Sequence, residues 1–133
     1  MDTNGHTILC EDYVSFEIAK LLKEKGFPEG YQHTNYFMDE NGNQATCTIC
    51  GAIGKNITTI PRPTHQMALK WLREVHNIYI DILTYTTGKN IQFRWVGYDK
   101  GRLFSQEEGK IVYFDSYKEA VEAALLYVLK NLI

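Results

Sequence analysis

The chain has 133 residues, of which 44% are hydrophobic and 23% charged, and its formal net charge is −2. This composition excludes a mainly disordered chain and predicts one compact domain over residues 1–133. No apolar run reaches the roughly 18 residues that cross a bilayer, and residues 1–5 lack the basic and apolar regions of a signal peptide. We therefore expect a cytoplasmic protein with no membrane partner.

The first predicted helix begins between Glu11 and Ser15. Its apolar residues recur at intervals of three and four, the spacing that places side chains on one helical face. Gly26 suits the left-handed conformation that ends many helices, and Pro28 prevents continuation.

A β-hairpin is predicted next, with strands over residues 31–38 and 44–49. The turn at 39–43 contains Asn41-Gly42, a dipeptide that tolerates the positive φ angles of tight hairpin turns. Residues 51–63, which end in Pro61-Arg62-Pro63, are predicted to form a loop.

The second predicted helix spans residues 64–76, with Thr64 as its N-cap. Five residues form its apolar stripe: Met67, Ala68, Trp71, Leu72 and Val75.

The most regular predicted strand covers residues 78–85 and turns at 87–90 into a second strand over 91–98. Alternation places Ile78, Ile80 and Ile82 on one face, and Tyr79, Asp81 and Leu83 on the other. In the second strand Ile91, Phe93 and Trp95 are predicted to face the core. Short strands at 103–104 and 111–114 flank a polar tip at 106–109.

The last predicted helix begins at Ser116, which with Glu119 forms a Ser-x-x-Glu capping box, and runs to the C-terminus. The element order is α-ββ-α-βββ-α. Because short turns join most strands, we predict an α+β fold with a mostly antiparallel sheet and helices packed on one face.

Three helical segments carry a resemblance. They read PTHQMALKWLREVHNI (63–78), SYKEAVEAAL (116–125) and YVSFEIAKLL (13–22). Together they resemble a group of small uncharacterised proteins of gut Bacteroidales and of their phages or mobile elements. The resemblance covers about a third of the chain and implies a bacterial or phage intracellular setting. It implies no activity and no site residues.

The sharpest local motif is Cys47-x-x-Cys50-Gly51, a knuckle that can place two thiolates on one zinc ion. Cys10, with His6 or His33, would complete four ligands. Against zinc, residues three apart in a strand point to opposite faces, and no second Cys-x-x-Cys exists. We therefore predict that the cysteines are small apolar side chains, and we expect no metal or other cofactor.

Four residues are candidates for binding. Arg73 and His76 share a helical face and could hold an anion, although cations in a last helical turn also stabilise the helix dipole. Arg62 is predicted to be a solvated loop charge. Arg94, Trp95 and Tyr98 offer cationic and aromatic groups on one hairpin, as in single-strand nucleic-acid binders, but alternation places Trp95 on the face opposite Arg94.

No serine or cysteine lies in a nucleophile elbow, and the four histidines are scattered, so the sequence favours a protein that is not an enzyme. Nine Tyr and two Trp would suit a protein-binding surface if several lie outside the core. The first hypothesis is a small intracellular protein-interaction module of phage or mobile-element type, which binds itself or another protein. The alternatives are a nucleic-acid-associated regulatory module, similar in element order to antitoxins with a truncated RNase H-like sheet, and a zinc-stapled domain.

Overall fold

Helices alternate with antiparallel strands in the order α-βββ-α-βββ-α in the computed structural model, which describes residues 12–28, 36–39, 44–46, 59–105 and 111–133. The elements are α1 Phe16–Glu24, β1 Tyr36–Asp39, β2 Gln44–Thr46, β3 Thr59–Pro61, α2 His65–His76, β4 Ile78–Thr87, β5 Asn90–Asp99, β6 Arg102–Phe104 and α3 Tyr117–Asn131.

The strands form two three-stranded sheets, with the orders β2-β1-β3 and β4-β5-β6, and every strand pair is antiparallel. The predicted α+β class is therefore confirmed, with the strands divided between two sheets. β4 and β5 pair without interruption from Ile78 opposite Asp99 to Thr87 opposite Asn90.

A hydroxyl side chain caps the start of each helix. Ser15, Thr64 and Ser116 accept hydrogen bonds from backbone N–H groups three residues later, at 3.3, 3.1 and 3.1 Å. The predicted caps Thr64 and Ser116 are confirmed. Gly26 has a φ of 94°, as predicted for a residue that ends a helix.

Two-residue turns join the strands of the larger sheet. Gly88 has a φ of 65° in the first turn, and Lys100 and Gly101 have φ angles of 52° and 85° in the second. Positive φ at the first position, or at both, is typical of hairpin turns that match the twist of the strands.

The core lies between the three helices and one face of the β4-β5-β6 sheet. Fully buried residues include Val14, Leu22, Trp71, Leu72, Ile78, Val121, Leu125 and Val128. Trp95 and Phe104 pack on Tyr127 of α3, with ring centroids 5.4 and 6.0 Å apart. Helices therefore cover one face of this sheet, as predicted.

Two predicted core positions are wrong, because Val75 and Ile91 are exposed. In α2 the buried stripe continues through Leu69 and ends at Leu72, before Val75. Ile91 lies next to the turn at the end of the hairpin, and the first β5 ring that meets α3 is that of Phe93, which packs edge to face on Tyr117.

Two predicted strand assignments also need correction. Residues 59–61, predicted as loop, form β3 and pair with β1. Its proline is tolerated because β3 is an edge strand. Residues 111–114, predicted as a strand, contribute one bridge in which Phe114 and Phe93 exchange hydrogen bonds of 2.7 and 2.8 Å. Phe114 lies along the same edge of β5 as β6, which pairs with residues 97–99.

Other predicted features lie outside the described residues: most of the turn at 39–43, the outer parts of its two strands, residues 51–58 of the loop and the polar tip at 106–109. Among the helices that the structure describes, none combines the length and apolar character needed to cross a membrane.

Candidate functional site

The larger sheet has an outer face, which points away from α3. Trp95 faces α3, so alternation directs the odd residues of β4 and the even residues of β5 to the opposite side. The outer face comprises Tyr79, Asp81, Leu83 and Tyr85 of β4, Gln92, Arg94, Val96 and Tyr98 of β5, and Leu103 of β6.

A row of large exposed side chains crosses all three strands near one end of the outer face. Tyr79 lies opposite Tyr98, and Tyr98 lies opposite Leu103. These side chains are 46%, 37% and 66% exposed, respectively. We call them the tyrosine row. Side chains that pair directly across strands are in reach of one another, so the three form one contiguous patch.

The far end of the outer face carries a second aromatic pair. Tyr85 and Tyr113 meet edge to face with ring centroids 5.4 Å apart, and Tyr113 is 41% exposed. Between the two ends lie Asp81, opposite Val96, and Arg94, opposite Leu83. From strand spacing and rise, the outer face measures roughly 300–450 Å², and it combines aromatic and aliphatic side chains with Asp81, Arg94 and Gln92.

A polar junction connects the three helices on the other side of the molecule. Glu122 Oε1 of α3 lies 2.8 Å from His65 Nε2 of α2 and accepts the backbone N–H of Ser15 at 3.0 Å. His65 is 3% exposed. The carboxylate thus lies at the N-termini of α1 and α2, where helix dipoles favour negative charge.

Ser15, His65 and Glu122 are residue types of a catalytic triad, but their hydrogen bonds differ from those of one. In a triad the histidine links the serine hydroxyl to the acid. Here the Ser15 hydroxyl caps α1, and Glu122 accepts from the Ser15 backbone. A groove of about 380 Å³ between α1 and α3 reaches Glu122 and Ser15 but is not lined by His65. The junction therefore supports a structural role: it ties the three helices together.

Arg62, predicted to be a solvated charge, is half-buried and makes defined contacts. Its Nε donates to the carbonyl of Val14 at 3.1 Å, and its guanidinium carbon lies 5.4 Å from the centroid of the Tyr13 ring. Backbone hydrogen bonds join the same two segments, from Val14 to Pro63 and from His65 to Asp12. Arg62 thus fastens the start of α1 to the start of α2.

The other candidate binding residues lie at two places, the end of α2 and the outer face of the sheet. Arg73 and His76 lie in the last turn of α2, where both can stabilise the helix dipole, and His76 packs edge to face on Trp71 at 4.5 Å. His76 Nε2 is buried without a hydrogen-bond partner. Arg94 is half-buried on the outer face, and Trp95 faces the core as predicted.

Cys10, Cys47 and Cys50, with His6 and His33, lie outside the described residues, so both the prediction that the cysteines are small apolar side chains and the alternative of a zinc site stay untested. Within the parts of the chain that the structure describes, no group of three or more His, Cys, Asp or Glu side chains could hold a metal ion.

Sequence reasoning missed His65, Glu122, Leu103 and Tyr113 as members of sites. The alternation of β4 identifies Tyr79 as facing away from Ile80, which is a usable signal for the outer face. No local pattern predicts the junction, because its members are 57 and 107 residues apart.

Compared with known proteins, the chain matches no family model, no curated protein and no solved structure, so the resemblance to Bacteroidales proteins remains a prediction.

Proposed function

We propose that this chain is a small protein-interaction module, and not an enzyme, which binds a partner protein on the outer face of the β4-β5-β6 sheet. The observation that carries the proposal is the tyrosine row, three large side chains exposed side by side on a rigid sheet. Contiguous exposed apolar side chains are a feature of interaction surfaces, whereas apolar residues scattered singly over a surface are ordinary.

The chemistry of the tyrosine row suits a protein partner. Tyrosine supplies a large apolar ring with a hydroxyl at its tip, and it loses little side-chain entropy on binding. Aromatic side chains also contribute a disproportionate share of the binding energy at protein interfaces. The partner that fits is a protein surface that is apolar at its centre and offers hydrogen-bond acceptors to the tyrosine hydroxyls.

The charge of the outer face argues against a polyanion. Of the residues that the described strands place on this face, Asp81 and Arg94 carry charge, and their signs are opposite. Nucleic acids and anionic membranes are bound by clusters of cations that replace counterions. The nucleic-acid alternative is therefore the weaker one, and it becomes an outcome of the test.

The test compares a face variant with a matched control. The face variant combines Tyr98→Ser with Leu103→Ser, and the control is Val75→Ser, which removes a 58% exposed apolar side chain from α2. Proteins captured from host extract by the wild-type chain are identified and purified, and their binding is measured by titration calorimetry. We expect the face variant to raise the Kd at least about tenfold, and the control to leave it unchanged.

Equal affinity of a purified partner for the wild-type chain and the face variant would contradict the proposal. Salt-dependent retention of the wild-type chain on single-stranded RNA or DNA, reduced by Arg94→Gln, would favour the nucleic-acid alternative.

A further inference from the structure

The hydrogen bonds of β5 show which backbone groups of β4 point away from the sheet. Phe93 exchanges both of its backbone hydrogen bonds with Phe114 on the β6 side, at 2.8 and 2.7 Å. Backbone groups alternate in direction along a strand, so the odd residues of β5 bond on the β6 side and its even residues bond to β4. Their partners in β4 are odd residues, from Tyr79 to Thr87.

The even residues of β4 therefore direct their backbone N–H and C=O groups away from the sheet. β4 is at the end of the strand order, and none of the described strands pairs with its outer side. Ile80, Ile82, Thr84 and Thr86 thus present four donors and four acceptors in one line. Because all four residues are β-branched, they favour an extended backbone that another strand can join.

β4 itself lacks most of the features with which soluble proteins usually block edge pairing. Such features are a short strand, a proline, charged side chains, above all lysine, and a bulge. β4 has ten residues, contains no proline or lysine, carries Asp81 as its one charged residue, and pairs with β5 in unbroken register. The opposite edge of the sheet is blocked, because β6 has three residues and begins with an arginine.

We propose that β4 pairs in antiparallel orientation with β4 of a second copy of this chain. A two-fold axis perpendicular to the sheet then relates the two copies and forms one continuous six-stranded sheet, with the helices of both copies on the same side. Such a contact is self-complementary, because each copy contributes the same strand. Closed dimers with a two-fold axis are also the most common assembly of identical chains.

The side chains of β4 limit the register. A pairing centred on Asp81 would place two carboxylates directly opposite each other, which is unfavourable. Pairings centred on Ile82 or on Leu83 separate the two carboxylates and keep nine residues of each strand in the ladder. In these two registers Thr84 lies opposite the partner's Ile80 or the partner's Ile82, respectively.

A second copy also fits the partial burial of the β4 side chains. Ile80 and Ile82 pack on the core and remain partly exposed, so pairing would bring apolar side chains of the two copies together. Pairing would also join the two outer faces into one surface of roughly 600–900 Å², twice the sheet area of one copy. The dimer would therefore offer a wider binding surface, although the pairing itself does not depend on the proposed function.

The first experiment compares Thr84→Pro with Thr84→Val. The Thr84 N–H points outward and its side chain is exposed, so proline removes no hydrogen bond to β5, whereas valine keeps the N–H. Native mass spectrometry and sedimentation velocity give the number of subunits between about 1 μM and 1 mM. We expect a dimer for the wild-type chain and for Thr84→Val, and a Kd raised by about 30-fold for Thr84→Pro, which removes two symmetric hydrogen bonds.

Hydrogen exchange tests the same contact without a variant. The backbone amides of Ile80, Ile82 and Thr84 should be protected from exchange in the dimer and lose this protection on dilution. The amide of Leu83, which is hydrogen-bonded to β5, should stay protected at every concentration. A wild-type chain that is monomeric throughout this range would overturn the proposal. So would a dimer that Thr84→Pro leaves intact, or rapid exchange of these amides in the dimer.

Discussion

The two faces of the β4-β5-β6 sheet are built from the same strands, but one is buried and the other is exposed. On the inner face Trp95 is 3% exposed and packs with Phe104 and Tyr127, whereas on the outer face Tyr79 and Tyr98 are open to solvent. Alternate residues of one strand thus serve two purposes. One set holds the sheet to the helices, and the other can be changed with little effect on the fold.

Trp95→Ala should have the largest effect, because it removes the main aromatic side chain between the sheet and α3. We expect the free energy of unfolding to fall by about 3–5 kcal/mol, as for other buried aromatic truncations. Urea denaturation followed by circular dichroism measures it. A loss below about 1 kcal/mol would mean that the inner face does not hold the sheet to the helices.

Gly97→Ala tests how closely the inner face is packed. A Cβ at Gly97 would overlap the ring of Phe104, its cross-strand partner, and that ring is stacked on Tyr127. Forcing the ring aside should cost about 1–3 kcal/mol. Thermal unfolding measures the cost, and Val96→Ala, on the other face of β5, is a control without this overlap. An unchanged melting temperature for Gly97→Ala would show that Phe104 moves freely.

Glu122→Ala tests the junction that fixes the helices covering the inner face. The substitution leaves the backbone N–H of Ser15 and the buried ring of His65 without their acceptor. We expect a loss of about 1–3 kcal/mol. Glu119→Ala, which removes an exposed acid from the first turn of the same helix, should cost less, about 0.3–1 kcal/mol. Chemical denaturation gives both values. In a cycle with His65→Ala the two losses should not add, and simple additivity would contradict direct coupling.

Tyr98→Ser should have the smallest effect on stability. The side chain lies on the outer face opposite Tyr79 and is exposed. Surface changes of this kind usually alter the free energy of unfolding by about 0.5 kcal/mol or less. Urea denaturation of Tyr98→Ser and Trp95→Ala under the same conditions gives the free energy of unfolding of each variant and so the difference between the two faces. A loss comparable to that of the tryptophan variant would show that the outer face is part of the core.

Features set by neighbouring residues were predictable from the sequence. The β4–β5 hairpin follows from alternation and from Gly88, and the starts of α2 and α3 follow from Thr64 and Ser116. Each depends on contacts within a few residues, which a local pattern contains.

Features set by distant contacts were not predictable. The three residues of β3 form a strand because β1 lies beside them, and Pro61 makes the same segment look like a loop. Val75 continues the apolar period of α2 but lies beyond the buried stripe. For the sites, alternation predicts which side chains share a face of the sheet and that Trp95 faces the core, but it does not predict the contacts of Glu122 with His65 and Ser15.

The Glu122 junction has a consequence for synthesis on the ribosome. Ser15 and Glu122 are 107 residues apart, so the start of α1 is made long before the carboxylate that accepts its backbone N–H. At about 5–20 residues per second, the wait is roughly 5–20 s. The β4–β5 hairpin, closed by a two-residue turn, needs no such wait. We therefore expect the nascent chain to form this hairpin first and to dock α1 last.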